Sequence, residues 1–468
     1  MEKVLQKVLA AFGILIPLFF TVATSNAAVM ISKDSSTIGN IIIMEAGASD
    51  ADNGTALRNT LEGLTGDSSN RYVIRLGPGT YDVGTTNLAM KDYVDIEGSG
   101  ENVTVITGNP DGPATVTAFG VSNAELRFLT VRNTGGGNAA VAIGTGSGGV
   151  KITHVYAEAS GSANNHAIEN HCPSPPCATV FMRSVFASAG YTGGGENIGI
   201  WNDSSSAVAM IDVIANAFSD VGDSFTNIGI KNNTTAPVML DVYVMAYGGA
   251  NTYGIYNDTT GGQMFNVYAF ATNATASNTG VLNQNSSQPA MRNIRTEGSG
   301  GADSTGMANT NCVTGSTVAN ITAIGRSASN NNIGMLNNGC SFTLISLHAS
   351  STPVRPGAYH AGVKNVDASP KIESSVVLAP TVDANCGGGC YGVHNTGSGT
   401  VKIDSSQIYT ALTSSAAATI KNGSNVTTYV GNSKLDGNAV VNDGTIKCIG
   451  VYNATYDALD NTCMVPTP

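Results

Sequence analysis

Charge is scarce in this chain. Of its 468 residues only 55 carry charge, 22 Lys and Arg against 33 Asp and Glu. That share of 12 % compares with roughly 25 % in ordinary globular proteins. A long helical or coiled-coil protein is excluded, because it would draw about half its residues from Ala, Glu, Lys, Leu and Arg. There is a single Trp, and no segment after the first turns has the 10–12 residues of helical spacing that a crossover helix needs. No basic cluster offsets the net charge of −11, so the surface repels nucleic acid and anionic lipid. Disorder is excluded by the 42 % apolar content at such low charge. What the chain has instead is 56 Gly and 46 Asn, the residues of repeated turns.

The first residues read as an export signal. Lys3 and Lys7 precede an apolar run from Val8 to Val22, and Ser25-Asn26-Ala27 supplies a small-x-small cleavage site. Loss of residues 1–27 removes Lys3, Lys7 and Glu2 and shifts the net charge from −11 to −12. The mature chain then holds no segment of 18 apolar residues, so it is expected to be secreted, extracellular or at the cell surface, or periplasmic, with no transmembrane segment. Eight cysteines in an exported chain read as disulfides. Three pairs are local: Cys172 with Cys177, Cys386 with Cys390, and Cys448 with Cys463. Zinc is disfavoured, because CPSPPC and CGGGC lack a second matching pair. No metal site is assigned.

From residue 167 a tetrad recurs: a small residue, an aliphatic residue, any residue, then Asn. It runs through Ala167-Ile168-Glu169-Asn170, Gly199-Ile200-Trp201-Asn202, Gly229-Ile230-Lys231-Asn232 and Gly254-Ile255-Tyr256-Asn257. The same pattern ends at Asn283, Asn309, Asn337, Asn365, Asn395 and Asn422, at intervals of 25 to 32 residues. A period of this kind marks a solenoid. Alternating segments such as Met239-Leu240-Asp241-Val242-Tyr243-Val244 add further strands to each unit. Two or three short strands per unit describe one coil of a parallel β-helix.

Strand alternation sends the aliphatic residue and the Asn inward and the third residue outward. The Asn is expected at the coil's turn, in the left-handed conformation, bonding its equivalent one coil away. Cys312 and Cys340 each lie three residues after a tetrad Asn, so they occupy one slot in adjacent coils, ~4.8 Å apart, and an inter-coil bridge is expected. Leu57, Leu61 and Leu64 predict a short helix over Gly54–Leu64 that plugs the solenoid's first end. The domain organisation read from these signals is a signal peptide at 1–27, a cap segment at 28–70, and a β-helix of roughly a dozen coils at 71–468 with a disulfide-tied end.

The run Ile74-Arg75-Leu76-Gly77-Pro78-Gly79-Thr80-Tyr81, with Val94-Asp95-Ile96-Glu97-Gly98-Ser99-Gly100 and Thr104-Val105-Ile106-Thr107, resembles the first coils of the pectin lyase-like superfamily. The resemblance implies an all-β fold, a right-handed parallel β-helix solenoid. It implies function weakly, since that architecture hosts polygalacturonases, pectin methylesterases, pectate lyases and non-catalytic surface proteins. The chain has no Asp-Asp pair, no Gly-His-Gly, no Arg-Ile-Lys and no Gly-Asp-x-Asp-Phe segment, so the hydrolase and esterase motifs are missing. Arg355-Pro356 and Ile200-Trp201-Asn202-Asp203 match pectate lyase motifs only in fragments.

Three further features bear on chemistry. The cluster Asn165-His166-Ala167-Ile168-Glu169-Asn170-His171 reads as a solvated edge rather than an acid–base site. Trp201 and Tyr256 hold outward tetrad positions two coils apart, and with Asp203 they are the candidate glycan contacts. Asp212 and Asp241 stack as like charges in neighbouring coils. The expected role is a secreted, non-catalytic scaffold or surface-binding protein that contacts glycan, its partner an extracellular polysaccharide or a cell-surface component, with no cofactor. The alternative is a polysaccharide lyase or glycoside hydrolase acting on an acidic polysaccharide, calcium being its cofactor in the lyase case. No catalytic residue is assigned. The solenoid ends are sheet edges through which copies can associate.

Overall fold

The computed structural model describes residues 18–20, 29–33 and 40–466, apart from 113, 136, 173–178, 191–194, 204–206, 259–260, 286, 288, 313–314, 353–357, 380–387, 411–416 and 438–439. The chain is a parallel β-helix of about 12 turns. Among the described residues, the strands from Asn40–Met44 onward pair with one another in parallel, each meeting its equivalent one coil later, and only the isolated bridges Asp67–Asn70 and Tyr452–Ala458 are antiparallel. Before it, Leu18–Phe20 and Val29–Lys33 form an antiparallel pair that continues onto Asn40–Met44.

A coil begins with the tetrad strand, for example Glu196–Asp203. The next long strand is broken by one residue in the left-handed region, which turns it from one sheet into another. That corner residue is Ser184, Asp212, Asp241, Asn266, Asn293 and Asn320 in successive coils, with φ between 51° and 57°. Three sheets result: the tetrad sheet, a short one before the corner, and one after it.

The aliphatic tetrad residues Ile168, Ile200, Ile230, Ile255, Val281, Met307, Met335, Val363, Val393 and Ile420 form one fully buried row through the middle of the solenoid. Tetrad Gly residues are set by crowding: a Cβ on Gly254 would stand 2.5 Å from the carbonyl oxygen of Gly280 and 3.0 Å from the Phe270 nitrogen. The Asn ladder exists and is continuous. Asn170, Asn202, Asn232, Asn257, Asn283, Asn309, Asn337, Asn365, Asn395 and Asn422 are joined by nine bonds of 2.6 to 2.9 Å, each Nδ2 donating to the Oδ1 one coil on. All are buried.

One expectation about these residues fails. The tetrad Asn residues are strand residues with negative φ, and the left-handed corner belongs to the Asp212 row. The inward amide needs a straight strand to stack. The corner lies on the outside in αL, a conformation Asn, Asp and Ser tolerate well, although Phe128 and His154 take it in the coils before Ser184. There Asp212 accepts from Ser184 Oγ (2.8 Å) and Asp241 from Asn266 Nδ2 (3.0 Å), so each stacked carboxylate has a donor on its far side.

The N-terminal helix α1 spans Asp50–Glu62 and starts four residues earlier than the leucine spacing implies, because Ser49 caps it by accepting from the Asp52 amide. Its Leu57 and Leu61 are buried, and Asn53 Nδ2 donates to Thr80 O at 2.9 Å, which pins the helix to the first turns. The strand Asn40–Met44 is already a rung, paired with Tyr72–Leu76, so parallel pairing begins within the segment read as the cap. Its Ile41-Ile42-Ile43 run is β-branched and suits a strand. Cys312 and Cys340 are bonded across adjacent coils with Cα atoms 5.0 Å apart, and Cys448 is bonded to Cys463. Cys172 and Cys390 are each disulfide-bonded, while Cys177 and Cys386, assigned to them by sequence, lie outside the described residues, as does Arg355. No helix among the described residues is long and apolar enough to cross a membrane.

Candidate functional site

The outward row of the tetrad sheet runs Glu169, Trp201, Lys231, Tyr256, Leu282, Ala308, Leu336, Lys364, His394, Lys421. Trp201 and Tyr256 flank Lys231, as the sequence placed them. Lys231 Nζ lies 5.2 Å from the Trp201 ring centroid and pairs with Glu196 at 3.1 Å. The Trp201 indole nitrogen is buried without a hydrogen-bond partner. Tyr256 accepts from Gln284 Nε2 and meets Tyr253 edge-on at 5.5 Å; burial raises the pKa of both phenols. Asp203, at the strand end, lies 3.0 Å from His171 Nδ1.

His166 is not part of a solvated edge. It is buried, lies 3.2 Å from Glu169 and packs edge-on against Trp201 at 4.9 Å. Packing of the Trp201 ring on the next coil closes over it, which one coil's sequence does not reveal. Among the described residues no group of three or more His, Cys, Asp or Glu is arranged to hold a metal ion.

A second cluster stands at the C-terminal end of the same face. Tyr359, Tyr391 and His394 form a ring triad with centroids 4.6 to 5.9 Å apart, and the Tyr359 hydroxyl is 2.6 Å from His394 Nδ1. Lys364 stands over Tyr359 at 4.9 Å and Lys421 over Tyr391 at 5.1 Å. Burial, then the two lysines, lowers the His394 pKa to about 4, and burial alone lowers that of Lys364. The third positions of three consecutive tetrads, Lys364, His394 and Lys421, carried this signal in the sequence. Tyr359 and Tyr391 did not stand out, because they precede the tetrads.

The sheet after the corner carries a different surface. Its outward rows align Phe186, Ile214, Tyr243 and Tyr268, then Met245 with Phe270, then Phe218 with Tyr247. Tyr243, Phe218 and Tyr268 are 41, 47 and 48 % exposed. At ~4.8 Å per strand and ~3.3 Å per residue the platform measures roughly 14 by 13 Å. The charged groups Arg295, Glu297 and Arg326 lie at one edge, where Arg326 pairs with Glu297, and the Arg132–Glu158 pair lies beyond the opposite edge. The alternation Tyr243-x-Met245-x-Tyr247 and Tyr268-x-Phe270 was legible in the sequence, but only the register stacks the two runs.

No family model matches the chain, and no curated protein does. Solved structures are similar in fold at low identity. The A-module of the Azotobacter vinelandii mannuronan C-5 epimerase AlgE6 is 14 % identical, with a TM-score of 0.42 over 86 % of this chain and 95 % of that one. The catalytic domain of a GH87 α-1,3-glucanase is 10 % identical, with a TM-score of 0.37 over 87 % and 68 %. A DFA-IIIase from Arthrobacter chlorophenolicus A6 is 10 % identical, with a TM-score of 0.35 over 90 % and 97 %. The chain is an all-β, right-handed parallel β-helix solenoid.

Proposed function

We propose that this is an exported, non-catalytic surface-binding β-helix that lays its aromatic platform against polysaccharide. The observation that carries the reading is the stacked set of Phe218, Tyr243, Tyr247 and Tyr268, which leaves ring faces open on consecutive coils. Isolated exposed apolar residues need no explanation, but a contiguous patch on one face marks an interaction surface. Tyrosine rings accept the C–H face of a sugar while their hydroxyls stay available for hydrogen bonds. The net charge of −11 opposes stacking of two copies and leaves a neutral polymer unopposed. Trp201, Asp203 and Tyr256 are proposed as secondary contacts on the tetrad face, where Gln284 adds a polar group beside the rings.

Co-sedimentation of the secreted chain with a panel of insoluble neutral polysaccharides tests this. At least one should retain the protein, and Tyr243→Ala with Tyr268→Ala should weaken retention about tenfold, from ~0.5–1.5 kcal/mol per ring. Equal retention of the double variant overturns the platform. Release of unsaturated or reducing-end products overturns the non-catalytic reading.

A further inference from the structure

We propose that Lys364, His394 and Lys421, with Tyr359 and Tyr391, form a binding site for an oxyanion, a carboxylate or sulfate group borne on a ligand. The site goes beyond the platform reading and does not depend on it, since it lies on another sheet. Its first support is missing neutralisation. Lys231, Lys371 and Lys434 pair with Glu196, Glu373 and Asp436, while the lysines with no carboxylate partner among the described residues include the exposed Lys151, Lys402 and Lys447, so what marks Lys364 and Lys421 is that they lack one while part-buried against aromatic rings. Lys364 and Lys421 have no carboxylate within ion-pair distance among the described residues, although acidic groups outnumber basic ones by 33 to 22. Their ammonium groups rest on aromatic rings instead.

Placement is the second support. Lys364, His394 and Lys421 succeed one another in one outward row, so the two lysines stand two strand spacings apart, ~9.6 Å, on either side of the imidazole. Both are only partly exposed. Two half-buried cations that face no acid carry a desolvation cost, and an anion between them relieves it. The lowered proton affinity of Lys364 has burial as its cause and no acidic neighbour opposing it, which agrees with the geometry. Donors for the oxygens are at hand. Lys421 Nζ donates to the Tyr391 hydroxyl at 3.3 Å and keeps two further protons, and the Tyr359 hydroxyl meets His394 Nδ1, leaving the other ring nitrogen to turn toward the ligand.

The test uses the full secreted chain and three probes: glucuronate, sodium sulfate, and glucose as the neutral control. Ring C–H signals of the six histidines are followed by NMR, that of His394 being assigned with His394→Gln. Glucuronate or sulfate should move the His394 signal saturably, and glucose should not. The two anions separate a carboxylate site from a sulfate site. Lys364→Met or Lys421→Met should each weaken binding at least fivefold, whereas Lys364→Arg should retain it within about twofold. Lys231→Met, on the same row but outside the cluster, should change nothing. The proposal is overturned if neither anion moves His394 in the unmodified chain, a result that requires no variant to fold. It is overturned equally if the methionine variants bind as tightly as the unmodified chain.

Discussion

Removing one amide from the inner ladder isolates its energetic role. Asn257 Oδ1 accepts from Asn232 Nδ2 and its Nδ2 donates to Asn283 Oδ1, both at 2.7 Å and both fully buried. Asn257→Ala therefore orphans one donor and one acceptor away from water. At ~1–3 kcal/mol each the variant should lose about 2–6 kcal/mol. Asn232→Ala orphans Asn202 Nδ2 and Asn257 Oδ1 and should cost the same. In the double variant only Asn202 Nδ2 and Asn283 Oδ1 are left bare, two groups rather than four. The double variant should accordingly cost about as much as either single one, a strong departure from additivity. Urea unfolding followed by the emission of Trp201, whose strand neighbours that of Asn232, reads the difference, with the slope checked for constancy. Additive costs, or a single-variant loss under about 0.5 kcal/mol, would refute the account of the ladder as mutually satisfied buried amides.

Three further outcomes follow from other features. At the corner, Asn293 has φ 57°, so Asn293→Gly should stay within about 0.5 kcal/mol while Asn293→Val loses ~1–2 kcal/mol, measured by urea midpoint. Cys312→Ser with Cys340→Ser opens a separation of 28 residues and should lower stability by about 3.5 kcal/mol on the chain-entropy estimate, read as a fall in Tm. His360 is buried with both ring nitrogens unpartnered, and burial lowers its pKa to about 4, below the ~6.5 of the unfolded chain. Its contribution is present above pH ~6.5 and is lost as pH falls toward 4, by ~3 kcal/mol; His360→Leu should remove that share of the acid sensitivity in midpoints taken at pH 7 and pH 4.5.

The architecture was legible because the period pairs an aliphatic residue with an Asn two positions on, at one spacing, coil after coil. A buried row of Ile, Val and Met beside a buried row of Asn fixes which face is inward at every coil. Cys312 and Cys340 could be placed against each other by counting from Asn309 and Asn337 alone. The corner was misassigned because Asn serves two opposite purposes here, stacking in a strand at Asn257 and bending one at Asn266, and the letter is the same. The candidate surfaces were harder still. Trp201 looked open as a third tetrad residue, yet the neighbouring Lys231 and His166 pack against it. Tyr359 and His394 are 35 residues apart and meet through register, which local pattern does not encode.

The inner ladder has one consequence for how such a chain changes length. Its links all run one way, each coil handing a proton donor to its successor, so the two cut ends of any excised coil are complementary. Deleting one whole repeat, such as residues 258–283, brings Asn257 onto Asn309 in the place Asn283 held, and no amide is stranded. Loss of part of a repeat breaks the chain of donors. Gene duplication and deletion in whole-coil units are thus nearly free of polar cost, and the number of coils is a quantity that descent can vary while the sequence of each coil is held.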